Sequence, residues 1–245
     1  MALKLSIILP TYNEAGNISE LIKAIHRQLP KKDYNLEIVV VDDNSPDGTA
    51  SIVKRLIGRY SVKLLVRPKQ KGLATAILTG IKRSSGKIVV LMDTDFNHQP
   101  KDIPRLLKAL SRDNLDLVIG SRYISGGGMP LSEAGPIQFL GSKLGNWMVN
   151  KLILNLSVSE SLSGFVAVKT KSLKKFPLKS IFRGYGDYCM RLLFHAQQQG
   201  LKVGEVAVVY GKRRYGVSKS RLLPMFINYF KTALSLKLFS SRRRV

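Results

Sequence analysis

With 245 residues, 44% of them hydrophobic, the chain suffices for one α/β domain or two small ones and can bury a sizeable core. Its single cysteine, Cys189, excludes an internal disulfide framework, and no stretch reaches the roughly 18 uncharged apolar residues of a membrane span. The net charge of +24 is concentrated late, residues 161–245 carrying 18 Lys and Arg against Asp187 and Glu205, which calls for an anionic partner: nucleic acid, a phosphate-bearing substrate or an anionic lipid surface.

The first 120 residues alternate. "KLSIIL" is a short apolar run ending at Pro10 and reads as a buried strand rather than a signal peptide. "AGNISELIKAIHRQL" has helical apolar spacing, with Asn17 or Ser19 as candidate caps. "LEIVVV", "VKLLV", "KIVVLM" and "LDLVIG" read as further strands. Between them lie the helices "SPDGTASIVKRLIGRY", "GLATAILTGIKRSSG" and "PKDIPRLLKALSR". Such alternation means βαβ units and a mostly parallel, Rossmann-like sheet flanked by helices, whose ligands bind beyond the carboxyl ends of the strands.

After residue 120 the pattern changes. "ISGGGMPLSEAG" is a Gly-rich loop without the Lys and Ser/Thr of a P-loop. "FLGSKLGNWMVNKLILNL" reads as a helix with Trp147 in the core, "LSGFVAVK" as a strand, "YGDYCMRLLFHAQQQG" as a helix with Cys189 in the core, and "KVGEVAVVYGKRR" as a strand. Domain boundaries are expected at 1–215, divided into halves 1–120 and 121–215, with a basic amphipathic tail at 216–245. On a helical wheel the tail places Pro224, Asn228, Lys231 and Ser235 opposite Leu222, Met225, Phe226, Tyr229, Phe230 and Leu236. With ten basic residues and no acid from Lys212 to Val245, it is expected to lie on an anionic membrane surface.

Three strands end in acidic loops: "PTYNE", "DDNS" and "DTD". One such loop is commonly a helix cap; three on one rim point to a ligand site. In "DTDFN" the alternation of Asp93, Asp95 and Asn97 puts their side chains on one side if the segment stays extended. Carboxylates with an amide oxygen suit Mg²⁺ or Mn²⁺ rather than zinc. Bare carboxylates would repel a diphosphate by about 4 kcal/mol per close charge pair at an effective dielectric of 20, and a divalent ion reverses that sign. His26 and His195 read as structural, and His98 as orienting its loop.

"LPTYNE", "VVDDNSPDGT", "MDTDFNHQP", "GSRY", "SGF" and "KRRYGVSK" follow one another in order. Over residues 4–219 the chain thereby resembles the inverting nucleotide-sugar glycosyltransferases of the GT-A fold, especially members that move mannose from GDP-mannose to dolichyl phosphate. "DDNSPDGT" and the R-x-x-G-x-S-K pattern of Arg213, Gly216, Ser218 and Lys219 are the narrowest motifs. The resemblance implies that Pro10, Tyr12 and Glu14 bind nucleotide, and that Val41 and Asp43 hold base and ribose. It puts Asp93, Thr94 and Asp95 on the family's D-x-D motif against the nucleotide sugar, with Asp93, Asp95 and Asn97 as metal ligands. Arg122, Arg213, Ser218 and Lys219 are expected at the donor and acceptor phosphates, Asp93, Asp95 and Arg213 being the catalytic set.

Departures are Asn97 where Gln is commoner, Glu160 in the Asp position of D-x-x-S-G-F, and Arg191 where relatives often carry Glu. The last two bear on acceptor or sugar identity more than on reaction class. The expected enzyme is a metal-dependent mannosyltransferase, peripheral at the cytoplasmic face of a membrane and either self-anchored or served by a membrane subunit. Its rivals are glucosyl or N-acetylglucosaminyl transfer from a UDP-sugar to a polyprenyl phosphate, and a non-catalytic basic protein binding nucleic acid or anionic membrane. A nucleic-acid binder has no use for Asp43, Asp93 and Asp95 clustered at strand ends, so nucleic acid is not the expected partner.

Overall fold

A computed structural model describes residues 2–130, 136–215 and 222–241. Gly216, Ser218 and Lys219, and the 131–135 part of the Gly-rich loop, lie outside the described residues. β1 (Leu3–Thr11), α1 (Ile18–Gln28), β2 (Tyr34–Asp42), α2 (Thr49–Leu56), β3 (Val62–Val66), α3 (Leu73–Arg83) and β4 (Ile88–Leu91) alternate as the periodicity predicts. A 3₁₀ turn opened by Pro100 leads into α4 (Ile103–Arg112) and β5 (Leu117–Ser121). Next come α5 (Pro136–Trp147) with a π-helical continuation Met148–Ile153, then β6 (Val166–Lys169) and two one-turn helices, α6 (Thr170–Leu173) and α7 (Leu178–Ile181). α8 (Tyr188–Gln198), β7 (Val203–Ala207) and α9 (Leu222–Ser241) complete the described chain.

The strands form one sheet in the order β3-β2-β1-β4-β6-β5-β7. Its β3-β2-β1-β4 half is parallel, whereas β6 runs antiparallel to both β4 and β5, and β7 pairs parallel with β5. Both faces are covered, which is why the central strands read as unbroken apolar runs. Ile7, Leu9, Ile38, Val40 and Val90 face α1 and α4, while Ile8, Val39, Val41, Val89 and Leu91 face α3 and α8. α1 buries Ile18, Leu21, Ile22 and Ile25, and α4 buries Ile103, Leu106, Leu107 and Leu110, each at i, i+3, i+4, i+7. Each such burial contributes about 1.5–3 kcal/mol before ordering costs. α3 lies so close to β1 that a Cβ at Gly80 would overlap Ile8 Cγ2.

Three expectations need correction. Trp147 is not core: it is 48% exposed, because the inward positions of this helix go to Asn146, Val149 and Asn150. In α9 the side chains of Leu222, Pro224 and Phe226 lie outside the described residues, and those described do not keep to the two faces drawn from the helical wheel. Tyr229, Ala233 and Leu236 pack on the core, whereas Ile227, Phe230, Leu234 and Leu238 form an exposed stripe. Asn17 stands at the start of α1 without capping it; its amide donates to Glu14 Oε2 (2.8 Å). Cys189 is fully buried, as expected, and burial pushes its thiol pKa up.

Candidate active site

Strand order reverses at β1, which has β2 on one side and β4 on the other. Such a switch point leaves a crevice at the carboxyl ends of the strands. Here it is a cavity of about 500 Å³ whose walls include Pro10–Tyr12, Glu14, Asp43, Lys71–Leu73, Asp93–Asp95, Asn97, Tyr185 and Arg213. The acidic loops after β1, β2 and β4 do converge on one rim.

One wall is organised by Asp43. Its carboxylate pairs with Arg67 through both Nε and Nη2 and accepts the Gly72 N–H (2.7 Å). Arg67 also donates to Thr75 Oγ1 (3.0 Å) and the Gly72 carbonyl (3.0 Å). Gly72 has φ +132, a conformation that other residues rarely adopt. This clamp presents Lys71 to the cavity, its ammonium 5.0 Å from the centre of the Tyr12 ring. Lys71, Gly72 and Arg67 were not among the expected site residues. The carboxyl-end rule applies equally to the loop after β3, "RPKQKG", but that loop carries bases and escapes a search for acids.

The opposite wall is the "DTDFN" loop, which does not stay extended. Phe96 takes φ +68, uncommon for a bulky side chain, and the chain turns back. The Asn97 N–H then donates to Asp95 Oδ1 (3.0 Å) and the Asn97 amide to Asp95 Oδ2 (3.0 Å). The expected alternation of three side chains is therefore replaced by an Asx-type turn closing on Asp95. The Gly211 N–H donates to the Asn97 carbonyl (2.8 Å), which carries the segment after β7 across the loop. Arg213 thereby reaches Asp95 Oδ2 (2.6 Å), and Arg214 lies 4.2 Å from the Phe96 ring centre.

Although 39% of the Asp93 side chain is exposed in the open cleft, withdrawal from bulk water pushes its carboxyl up to about 6, with Arg213 opposing. Asp95 is likewise raised, by desolvation first and then by the Asp93 charge. These carboxyls favour a nearby positive charge. Asp93, Asp95 and the Asn97 amide oxygen fit a hard divalent cation, since the Asn97 NH₂ is already spent on Asp95. Among the described residues no three His, Cys, Asp or Glu side chains converge as a metal cluster, so the protein offers two carboxylates and an amide rather than a closed cage.

His98 holds the loop from beneath. Its Nδ1 accepts the Asp93 N–H (2.9 Å), so Nε2 carries the proton and donates to Tyr210 Oη (3.0 Å), which donates to Ser163 Oγ (3.1 Å). The ring stacks on Phe165, and desolvation pulls its pKa down to about 4. Neutral and with both nitrogens engaged, His98 orients the loop.

Among the described residues, two expected ones do not line the cavity. Val41 is fully buried in β2 against α3. Arg122 turns away from the cavity onto Glu160, bonding through Nε (2.8 Å) and Nη2, while its own N–H donates to Glu160 Oε2 (2.6 Å). Its guanidinium lies 4.5 Å from the Tyr210 ring centre. Glu160, fully buried, has the reach to form this pair, and a buried carboxylate satisfied by a half-buried guanidinium has no reason to release it. Pro10, Tyr12, Glu14, Asp43, Asp93, Thr94, Asp95, Asn97 and Arg213 do come together, and Tyr185 joins them from the loop before α8.

The model for glycosyl transferase family 2 matches residues 6–168. Over 219 residues the chain is 37% identical to a dolichol-phosphate mannosyltransferase of Pyrococcus furiosus, covering 89% of this chain and 59% of that protein. It is 32% identical over 220 residues to a polyprenol monophosphomannose synthase of Mycolicibacterium smegmatis, covering 87% of this chain and 79% of the relative. In architecture it is similar to glucosyl-3-phosphoglycerate synthase of Mycobacterium tuberculosis, solved with Mn²⁺, UDP-glucose and phosphoglyceric acid. The TM-score is 0.71 at 21% identity, with 96% of this chain and 79% of that one covered, so the likeness concerns the GT-A fold. By sequence match and fold together, the chain belongs to glycosyl transferase family 2.

Proposed function

We propose that this protein transfers mannose from GDP-mannose to a polyprenyl phosphate of the dolichyl type, with inversion at the anomeric carbon, at the cytoplasmic face of a membrane. The observation that carries the reading is the cavity at the β1–β4 switch point, where Asp93, Asp95, the Asn97 amide and Arg213 meet opposite Lys71. The names of the Pyrococcus and Mycolicibacterium relatives support the sugar and the acceptor class.

Mg²⁺ or Mn²⁺ would be held by Asp93, Asp95 and the Asn97 oxygen, and when bound it neutralises the donor's diphosphate. Lys71 and Arg213 add positive charge from the two sides of the cleft. An acceptor phosphate oxygen forms the new bond to the anomeric carbon while the bond from that carbon to the diphosphate oxygen breaks and GDP leaves. The acceptor is already ionised at neutral pH, its second pKa being about 6, so no proton need be removed. The engagement of both His98 nitrogens agrees with that requirement. Radiolabelled GDP-mannose, UDP-glucose and UDP-N-acetylglucosamine, each offered with dolichyl or undecaprenyl phosphate, test the reading. Lipid product is expected from GDP-mannose, and product from a UDP-sugar alone would overturn it. Asp95→Asn is expected to lower turnover about 100-fold with the fold retained.

No helix among the described residues is long and apolar enough to cross a membrane. Yet of the 14 large hydrophobic side chains that are exposed among the described residues, nine lie on two neighbouring helices. α5 and its continuation present Leu140, Leu144, Trp147, Met148 and Leu152 at near-helical intervals, and α9 presents its own stripe. Lys237 Nζ donates to the Leu152 carbonyl (3.3 Å), so the two stripes adjoin. Exposed Lys143, Lys151, Lys231 and Lys237 flank them. Clustered apolar surface edged with lysine suits the interface of an anionic bilayer. Leu144→Asp with Phe230→Asp is expected to weaken vesicle binding about tenfold or more, and unchanged binding would remove this face from the proposal.

A further inference from the structure

The loop between α7 and α8 touches both the cavity and α9. Tyr185 lines the cavity beside Arg213 and donates its N–H to Asp187 Oδ1 (3.1 Å). The other oxygen of the same carboxylate, Oδ2, accepts from Thr232 Oγ1 of α9 (2.9 Å). Asp187 is buried and pairs with Arg191 one turn later. Arg191 also donates to the carbonyls of Ile181 (3.3 Å) and Arg183 (2.9 Å), pinning the start of the loop. The loop has little room to reorganise around this carboxylate. A Cβ at Gly184, whose φ is +71, would come within 2.8 Å of Asp187 Oδ1, and one at Gly186 would overlap the Tyr229 hydroxyl of α9.

Few of the described side chains of α9 are buried. Ala233 is its one fully buried side chain among those described, with Tyr229 and Leu236 partly buried beside it. The Thr232–Asp187 bond joins this helix to the loop at the cavity, while its outer stripe meets lipid in the reading given above. A shift of α9 on meeting a bilayer reaches the cavity mouth through one carboxylate.

We propose that Asp187, held by Arg191, is a positioning residue that transmits the seating of α9 on a lipid surface to Tyr185 at the mouth of the donor cavity. The proposal rests on the membrane-bound transferase reading and adds a means by which membrane contact prepares the acceptor side. It also gives Arg191, a departure from the family pattern, a concrete task.

Thr232→Val in the full chain removes the donor and keeps the shape, and Thr232→Ser restores the hydroxyl. Turnover is measured with a ten-carbon prenyl phosphate in buffer and with dolichyl phosphate in phosphatidylglycerol–phosphatidylcholine vesicles. Hydrogen exchange of residues 183–187 is followed with and without acceptor-free vesicles. Thr232→Val is expected to match the parent on the soluble acceptor, in donor KM and in vesicle binding. Its kcat on vesicles falls about five- to tenfold, and Thr232→Ser recovers it. Vesicles are expected to slow exchange across 183–187 in the parent and not in Thr232→Val. Parent-like vesicle turnover and exchange in Thr232→Val, or an equal loss on both acceptors, would overturn the proposal by making Asp187 a plain brace. If the parent transfers no mannose to either acceptor, the activity reading falls, and the exchange measurement still decides the coupling.

Discussion

Between Leu3 and Leu91 each strand is followed by a helix, and apolar residues alternate between two covered faces. Between Leu117 and Ala207 the same sheet is completed by an antiparallel strand, a π-helical segment and two one-turn helices. Apolar burial runs through both halves; to the single buried ion pair of the first, Asp43–Arg67, the second adds several buried polar knots. Arg122 closes on Glu160, the Ser159 and Glu160 N–H groups donate to Glu205 (2.7 and 3.1 Å), and Arg191 closes on Asp187. Apolar burial is non-directional and tolerates drift, whereas a buried ion pair demands its partner. The segment that differs most from a simple βαβ repeat thus adds directional contacts to its share of the apolar core.

That contrast is open to test. Glu160→Ala leaves the Arg122 charge enclosed without its partner and is expected to lower stability by about 3–5 kcal/mol in urea unfolding. A loss below about 1 kcal/mol would mean that the knot does not hold the second half. Gly80→Val probes the first half, where the added side chain meets Ile8; repacking against an apolar wall is expected to cost about 1–3 kcal/mol. A smaller effect than that of Glu160→Ala is what the comparison requires.

Besides the Asp43–Arg67 clamp, the first half carries a polar cluster at Glu37. Glu37 accepts from Ser6 Oγ (2.5 Å), Ser85 Oγ (2.9 Å) and the Ser85 N–H, and pairs with Lys63 (2.6 Å). Burial pushes its pKa up, but Lys63, Ser6 and Ser85 outweigh that and hold it at about 2, against an ordinary 4.5. A depressed carboxylate contributes stability above its unfolded pKa and loses it as pH falls toward the folded one. Glu37→Gln is expected to be about 1 kcal/mol less stable than the parent at pH 7, an amount discounted for solvent screening. The gap should close as pH falls from 4.5 toward 2. A gap that stays constant over this range would assign the contribution to shape rather than charge.

The site was legible to the extent that its residues sit at strand ends. Glu14, Asp43, Asp93 and Asp95 are adjacent to buried apolar runs, so the carboxyl-end rule places them on one rim without knowledge of side-chain contacts. Tyr185 follows no strand and reaches the cavity through Asp187, so no local pattern announces it. Arg122 does follow a strand, yet Glu160, 38 residues away, draws it off the rim. Phe96 overturned the extended reading of "DTDFN", because a positive φ at a bulky residue is not written in the residue itself.

What the sequence alone determined was the sheet, the helices packed on it and the sign of each rim loop, since periodic burial and strand-end composition are properties of neighbouring residues. The tertiary structure decided which charged groups remain in the cavity and which are consumed by partners. Arg213 faces Asp95 while Arg122 is committed to Glu160. Within a low-dielectric interior that choice depends on which opposite charge is brought close and enclosed, and closeness between distant segments is settled by packing rather than by spacing along the chain.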